Sequence, residues 1–438
     1  MESEMKNLPD IVVKKVAWRL LPFLLLMYVM AFLDRANVGF AKAAFQADTG
    51  LSNAAYAFGA GIFFIGYALL EVPSNLIMQR VGAKLWMCRI MVTWGLVSAA
   101  MMFAQGETSF YVLRFFLGVA EAGFFPGVIL YLTYWFPSNN RAKAMGFFYF
   151  GAPIAFIFGG PLSGFLLELH GIADLKGWQW LFLIEGLLAS LVGIWAYFYL
   201  DNRPADAKWL SNDERAWLQK VLDDENKDKL GHHSGSLRVA LANPRTLHLA
   251  IIYMLIQCSV YGVVFYLPTQ VANLVGREVG LVVGLFTAIP WICALVAAYF
   301  IPSLSDRLGE RRKTAAMTIL MSGAGIALSV ALSNPTLAFI ALCFAAAGFI
   351  AVQPVFWTFP SAYLTGTAAA GGIALINTFG AIGGFIAPNI KRWAEATYQS
   401  PSAGLYILAA LTVVAAVLLL TVRQRNQPFL NQPSTHLS

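Results

Sequence analysis

Twelve separate apolar stretches, each long enough to cross a bilayer, restrict what this chain can fold into more than any other feature. They run roughly 17–41, 55–79, 85–104, 109–134, 143–169 and 178–200, then 247–273, 279–302, 314–332, 337–362, 369–390 and 404–422. About 20 apolar residues make one helical crossing. Inside lipid every backbone donor and acceptor must be paired within the protein, which leaves helices or closed barrels. Stretches of this length select helices. Charged residues are only 12% of the 438, about half the share of a soluble domain, and mean hydropathy is +0.65. An all-α membrane protein of twelve transmembrane helices follows.

The one long polar segment, 201–246, divides six stretches from six. The expected organisation is a first bundle over 1–200, a linker over 201–246, and a second bundle with a short tail over 247–438. Within the linker, Ser211 stands where an N-cap would open a surface helix. The amino-terminal MESEMKNLPD is polar without a cleavable signal pattern, so the first stretch is expected to act as an uncleaved insertion signal. The net charge of +7 raises nucleic acid or anionic lipid as partners, and position decides against the former. Twenty-two of the 30 Lys and Arg fall on one side if both termini share it. Only Lys42, Lys176, Arg277, Lys391 and Arg392 fall in the opposite loops. That asymmetry predicts both termini in the cytoplasm. Cys88, Cys258, Cys293 and Cys343 lie inside apolar stretches and read as small core residues.

The two sets of six echo each other. An Arg–x–Gly turn follows the second stretch of each, in MQRVGAK and in SLSDRLGERRK. Helix-to-loop motifs also correspond, EAGFFPG with WFPSNNRAKAMGFF against VQPVFWTFP with GTAAAGGIALIN. Six-plus-six repeats are how many transporters build two bundles rocking about a midplane site. FLDRANVGFA, GYALLEVPSNLIMQRVGAK, LRFFLGVAEAGFFPGVILYLTYWFP, GWQWLFLIEGL and AKWLSNDERAWL together make the chain resemble the major facilitator superfamily, within its anion:cation symporter family. The likeness covers nearly the whole chain and is greatest to bacterial sugar-acid permeases of the rhamnonate or aldonate type. One departure is clear: the superfamily's Gly and Asp before the loop arginine are absent from SNLIMQRVGAK, whereas Asp306 keeps its place in the second copy.

Charges inside spans cost roughly 2.5–3.5 kcal/mol each on insertion scales, so each needs a reason. They are Asp34, Arg35, Glu71, Arg89, Arg114, Glu121 and Glu185, all in the first half. Arg114 and Glu121 are seven apart and share a helix face. Asp34 and Glu121 suit proton carriers, with Arg35 and Arg114 a planar fork for a carboxylate. The alternative is an ion-pair set pinning the first helix to the fourth. The resemblance implies substrate and proton roles for Asp34, Arg35 and Glu121, and substrate contact for Tyr67, Trp357 and Asn377. Glu71, one turn from Tyr67, reads as a gate or structural acid, Arg89 as a snorkelling residue and Glu185 as one of a structural pair.

The second half offers neutral groups. Gln353, Trp357 and Asn377 suit a polyol chain, and Tyr261 stands out of the run Tyr253, Gln257, Tyr261 and Tyr266. Close-approach glycines occur at Gly123 and Gly127, Gly160 and Gly164, and Gly380 and Gly384. No GxxxxGK[ST] and no HExxH is present, so neither an ATP-driven pump nor a membrane enzyme is expected, and no cofactor or metal beyond a proton gradient. The expectation is proton-coupled uptake of a small organic anion by a functional monomer in a bacterial inner membrane. Passive facilitation, transport of tartrate-like or aromatic acids, and drug efflux remain as alternatives.

Overall fold

The computed structural model describes residues 2–231, 243–363 and 366–422. His232, His233 and Arg238 of the linker, and Arg423, Arg425 and His436 of the tail, lie outside the described residues, so the structure does not bear on the topology expected of them.

All regular structure in the described residues is helical, and twelve crossings are long and apolar enough to span a membrane. The first six are α1 (Glu2–Thr49), α2 (Asn53–Val81), α3 (Ala83–Ala100), α4 with α5 (Glu107–Glu121, Phe124–Trp135), α6 with α7 (Ser138–Tyr149, Gly151–Glu168) and α8 (Gly177–Tyr199). The linker holds α9 (Asn212–Gly231). The last six are α10 with α11 (Pro244–Val264, Leu267–Val275), α12 (Leu281–Leu308), α13 (Arg311–Ala331), α14 (Pro335–Tyr363), α15 (Gly366–Tyr398) and α16 (Ala403–Thr421).

The expected stretches all appear, with three instructive differences. The fourth crossing is broken rather than continuous. Gly123 sits at φ 86° between α4 and α5, a left-handed conformation that costs glycine little. Pro126 falls in the first turn of α5, where its missing N–H is not needed. The seventh crossing breaks likewise before Leu267, with Pro268 in the first turn of α11. Finally, α1 and α15 run well past their apolar cores, so Lys42, Lys391 and Arg392 belong to helices rather than loops. Ser211 does cap α9: its Oγ accepts from Glu214 N–H at 3.2 Å, and Glu214 accepts from Ser211 N–H at 2.7 Å, a reciprocal capping box. Lys15 donates to Glu214 at 2.8 Å, tying α9 to α1.

Helix pairing repeats between the halves. In the first, α3 packs on α8, α2 on α4 and α1 on α7; in the second, α13 on α16, α12 on α14 and α10 on α15. The Arg–x–Gly echo has a physical cause. Gly82 and Gly309 both end a helix at positive φ, 92° and 67°.

The halves meet along two seams, α7 against α12 and α2 against α15. On α7, a Cβ at Gly160 would lie 2.5 Å from the Gly284 carbonyl oxygen, and one at Gly164 2.4 Å from that of Gly280. On α2, a Cβ at Gly61 would lie 2.9 Å from the Phe385 oxygen. Tyr56 Oη donates across the halves to the Phe265 carbonyl at 3.2 Å. These close approaches lie toward the face opposite the amino terminus. On the near side, Asn377 Nδ2 donates to Glu71 across the halves.

Candidate functional site

Between these two closures lies a cavity of about 60 Å³. Small-molecule pockets usually hold roughly 300–1,000 Å³, so this is a contracted state with room for a few waters. The first half supplies Tyr28, Phe32 and Arg35 from α1, Phe64 and Tyr67 from α2, Phe125 from α5 and Tyr149 from α6. The second half supplies Tyr253, Gln257 and Tyr261 from α10, Gln353 from α14, and Asn377, Gly380 and Ala381 from α15.

Arg35 is the cation on this wall. Its guanidinium pairs with Glu121, which is fully buried, and donates to Tyr261 Oη at 3.3 Å. One side chain thus touches a carboxylate in its own half and a phenol in the other. Its charge also lies near the rings of Phe32 and Tyr67, at 5.0 and 5.5 Å. Aromatic faces stabilise a partly desolvated cation there. Its Nε, and Glu121 Oε2, are buried with no hydrogen-bond partner, so capacity for an incoming polar group is left over.

Five of the residues singled out from sequence therefore line one cavity: Arg35, Tyr67, Tyr261, Gln353 and Asn377. Glu121 stands directly behind Arg35. Trp357 lies one turn from Gln353 but does not line the cavity; it packs edge-on against Tyr253 with ring centroids 5.0 Å apart.

One expectation needs correcting. Arg114 forms no fork with Arg35. It is 1% exposed, and its Nε and Nη2 donate to the carbonyls of Gly59 and Ala60 at 3.3 and 3.2 Å. The reason is a very tight α2–α4 crossing, where a Cβ at Gly118 would lie 1.9 Å from the Phe63 oxygen. That crossing brings two α2 carbonyls within reach of the guanidinium and holds it away from the cavity. Asp34 points elsewhere than Arg35, because neighbours on a helix stand about 100° apart. Its carboxylate accepts from Asn37 Nδ2 at 3.1 Å and from Ser98, within the first bundle. Glu185 has a hydroxyl partner rather than a cation, accepting from Ser163 at 2.7 Å.

Sequence reasoning passed over Tyr28, Phe32, Phe64, Phe125 and Tyr149. Three of them carried a signal. Phe32 and Tyr28 stand three and seven residues before Arg35, and Phe64 three before Tyr67, all on the same helix faces. Among the described residues no group of His, Cys, Asp and Glu could hold a metal.

The sequence profile of the Major Facilitator Superfamily matches residues 24–388. The chain belongs to the major facilitator superfamily. It is 52% identical to the inner membrane transport protein RhmT of Escherichia coli (strain K12), over 94% of this chain and 96% of that protein. It is 43% identical to a putative tartrate transporter of Agrobacterium vitis, over 95% and 92%. The inward-open conformation of the Escherichia coli xylose transporter XylE shares the fold, with a TM-score of 0.74 at 15% identity, covering 94% of this chain and 98% of that one. This superfamily chain is thus a multi-pass membrane transporter, and its relatives carry solutes rather than catalyse reactions.

Proposed function

We propose that the chain takes up a small organic anion together with protons, and that the anion is a sugar acid such as an aldonate. The observation that carries this reading is Arg35, a guanidinium on the cavity wall held by one buried carboxylate and surrounded by neutral hydrogen-bonding groups. A planar fork matches a carboxylate. Tyr67, Tyr261, Gln353 and Asn377 match a hydroxylated chain, with Trp357 supporting the wall from behind Tyr253. Relatives named for tartrate transport support the same hydroxy-acid chemistry.

In this reading Glu121 is the proton carrier that exchanges with the substrate. While ionised it occupies Arg35; once protonated it frees the guanidinium for the anion. Asp34, lodged with Asn37 and Ser98, is a second proton acceptor acting through the packing of α1. The loaded carrier then rocks between its two closures. Six-helix bundles over 1–200 and 247–438 are the moving bodies, joined by 201–246. Both termini face the cytoplasm, and one copy suffices for the cycle, driven by the proton gradient without cofactor.

The test is uptake of labelled acids into vesicles holding the purified protein, with and without an inward proton gradient. Accumulation of a sugar acid only with the gradient supports the reading. Mere equilibration makes the protein a facilitator and leaves Glu121 and Asp34 as structural acids.

A further inference from the structure

Five basic residues run against the charge asymmetry of the loops, and three of them converge. Lys42 of α1 with Lys391 and Arg392 of α15 line one cavity of about 550 Å³ at the face opposite the amino terminus. Lysines at span ends ordinarily snorkel into water. Lys391 does not: it is 6% exposed, with Nζ 3.9 Å from the centre of the Tyr266 ring. Lys42 Nζ stands 5.5 Å from the same ring and 5.4 Å from that of Tyr56. Glu395, one turn along α15, pairs with Lys391 and is the one acid among the lining residues. Asp48 nearby is taken by Lys176 at 3.3 Å.

Three cations thus line the cavity beside one carboxylate, which is paired with Lys391. Three residues that line it also carry unpartnered polar atoms, Arg392 Nε, Thr269 Oγ1 and Gln270 Oε1, each buried beneath the cavity surface. Unpaired buried polar groups cost free energy, and here they accompany surplus positive charge in a space far larger than the central cavity. We propose that this vestibule is an anion-capture site for small hydroxy-carboxylates, separate from Arg35. Lys42 belongs to the first six spans and the other two cations to the last six, so an anion between them is held by both halves while this face is closed. A cationic vestibule also raises the local concentration of an anionic solute. Its place as the outer vestibule rests on the orientation and organic-anion reading above; the binding itself does not.

The experiment is equilibrium binding of L-tartrate to the full protein in nanodiscs. Arg35→Gln is expected to retain a tartrate-binding step that weakens with salt. Adding Lys42→Gln and Lys391→Gln should weaken it at least tenfold, whereas Lys42→Arg with Lys391→Arg should preserve it, which separates charge from packing. Glu395→Gln should tighten it severalfold by removing the competing carboxylate. Loss of all tartrate binding in Arg35→Gln, or unchanged binding in the double glutamine variant, overturns the proposal. If the vestibule variants behave as expected but wild-type vesicles accumulate no acid, capture stands and the symport reading falls.

Discussion

The two walls of the central cavity are built from different chemistry. The first-half wall has Arg35 backed by Glu121, and Glu71 one turn from Tyr67. The second-half wall offers Tyr253, Gln257, Tyr261, Gln353 and Asn377, with no charge among its lining residues. The difference shows which interactions a rocking carrier can afford to break. Separating a buried ion pair leaves an uncompensated charge and costs about 3–5 kcal/mol. Exchanging one hydrogen bond for water costs less, about 1 kcal/mol for a neutral pair and about 1.5–3 kcal/mol where one partner is charged, as in Arg35–Tyr261 and Asn377–Glu71. Under the proposed rocking, keeping the ion pair within one half spares it from each swing, while the hydrogen bonds at the seam are made and released.

The largest test of this division is Arg35→Lys. A point charge cannot grip Glu121 and a carboxylate as a fork does. Truncating a buried charge pair costs about 2–5 kcal/mol, so kcat/KM for uptake should fall by about thirtyfold or more, measured as initial rates. Full activity would place recognition elsewhere. Next is Glu121→Gln, which mimics a permanently protonated carrier. Substrate exchange across the membrane should persist, while gradient-driven accumulation collapses to equilibration. Accumulation retained in a combined Asp34→Asn and Glu121→Gln protein would remove the proton role from both.

A smaller effect is expected on the neutral wall. Gln353→Ala should raise KM about fivefold, in keeping with about 1 kcal/mol per neutral hydrogen bond, and leave proton coupling intact; Asn377→Ala should cost more, because it also removes the donor to Glu71. A change in the accumulation ratio would break the division of labour. Trp357→Phe should cost less still, because the indole stands behind Tyr253. The smallest effect belongs outside the membrane, at Glu214. Burial pushes its carboxyl up, but Lys15 and the Ser211 N–H outweigh that and hold it below the usual glutamate range. A depressed carboxylate stabilises above its unfolded pKa, and that contribution is lost as pH falls through the folded value. Glu214→Gln should therefore lower the thermal midpoint by a degree or two at neutral pH and by nothing in strong acid, as read by thermal unfolding in detergent.

Much of this was legible in the residues. Twelve apolar runs place the crossings, and the sequence singles out Arg35, Tyr67 and Asn377, which line the cavity. What escaped has a common cause. Arg114 looked like a substrate ligand because a buried arginine demands an anion or carbonyls, and only the α2–α4 crossing shows that carbonyls meet the demand. The break at Gly123 was hidden because Gly and Pro are common in membrane helices and rarely say alone which turn they interrupt. The aromatic lining was present in sequence, but Phe125 and Tyr149 cannot be told from core residues until the second half closes over them.

The glycine seam between α7 and α12 has a further consequence. Its closed form is backbone against backbone, with hydrogen atoms where side chains would otherwise interlock. At the glycines themselves parting it leaves no side-chain pocket to fill, and the work of opening falls on the Phe156–Trp291 stack one turn from Gly160, whose ring centroids lie 4.1 Å apart. A single methyl at Gly160 or Gly284 is therefore a wedge. It has nowhere to go but into the facing carbonyl, and it shifts the resting population toward the form open on that face. Hydrogen is in this sense the functional side chain at these positions, because its small size is what lets the two backbones meet.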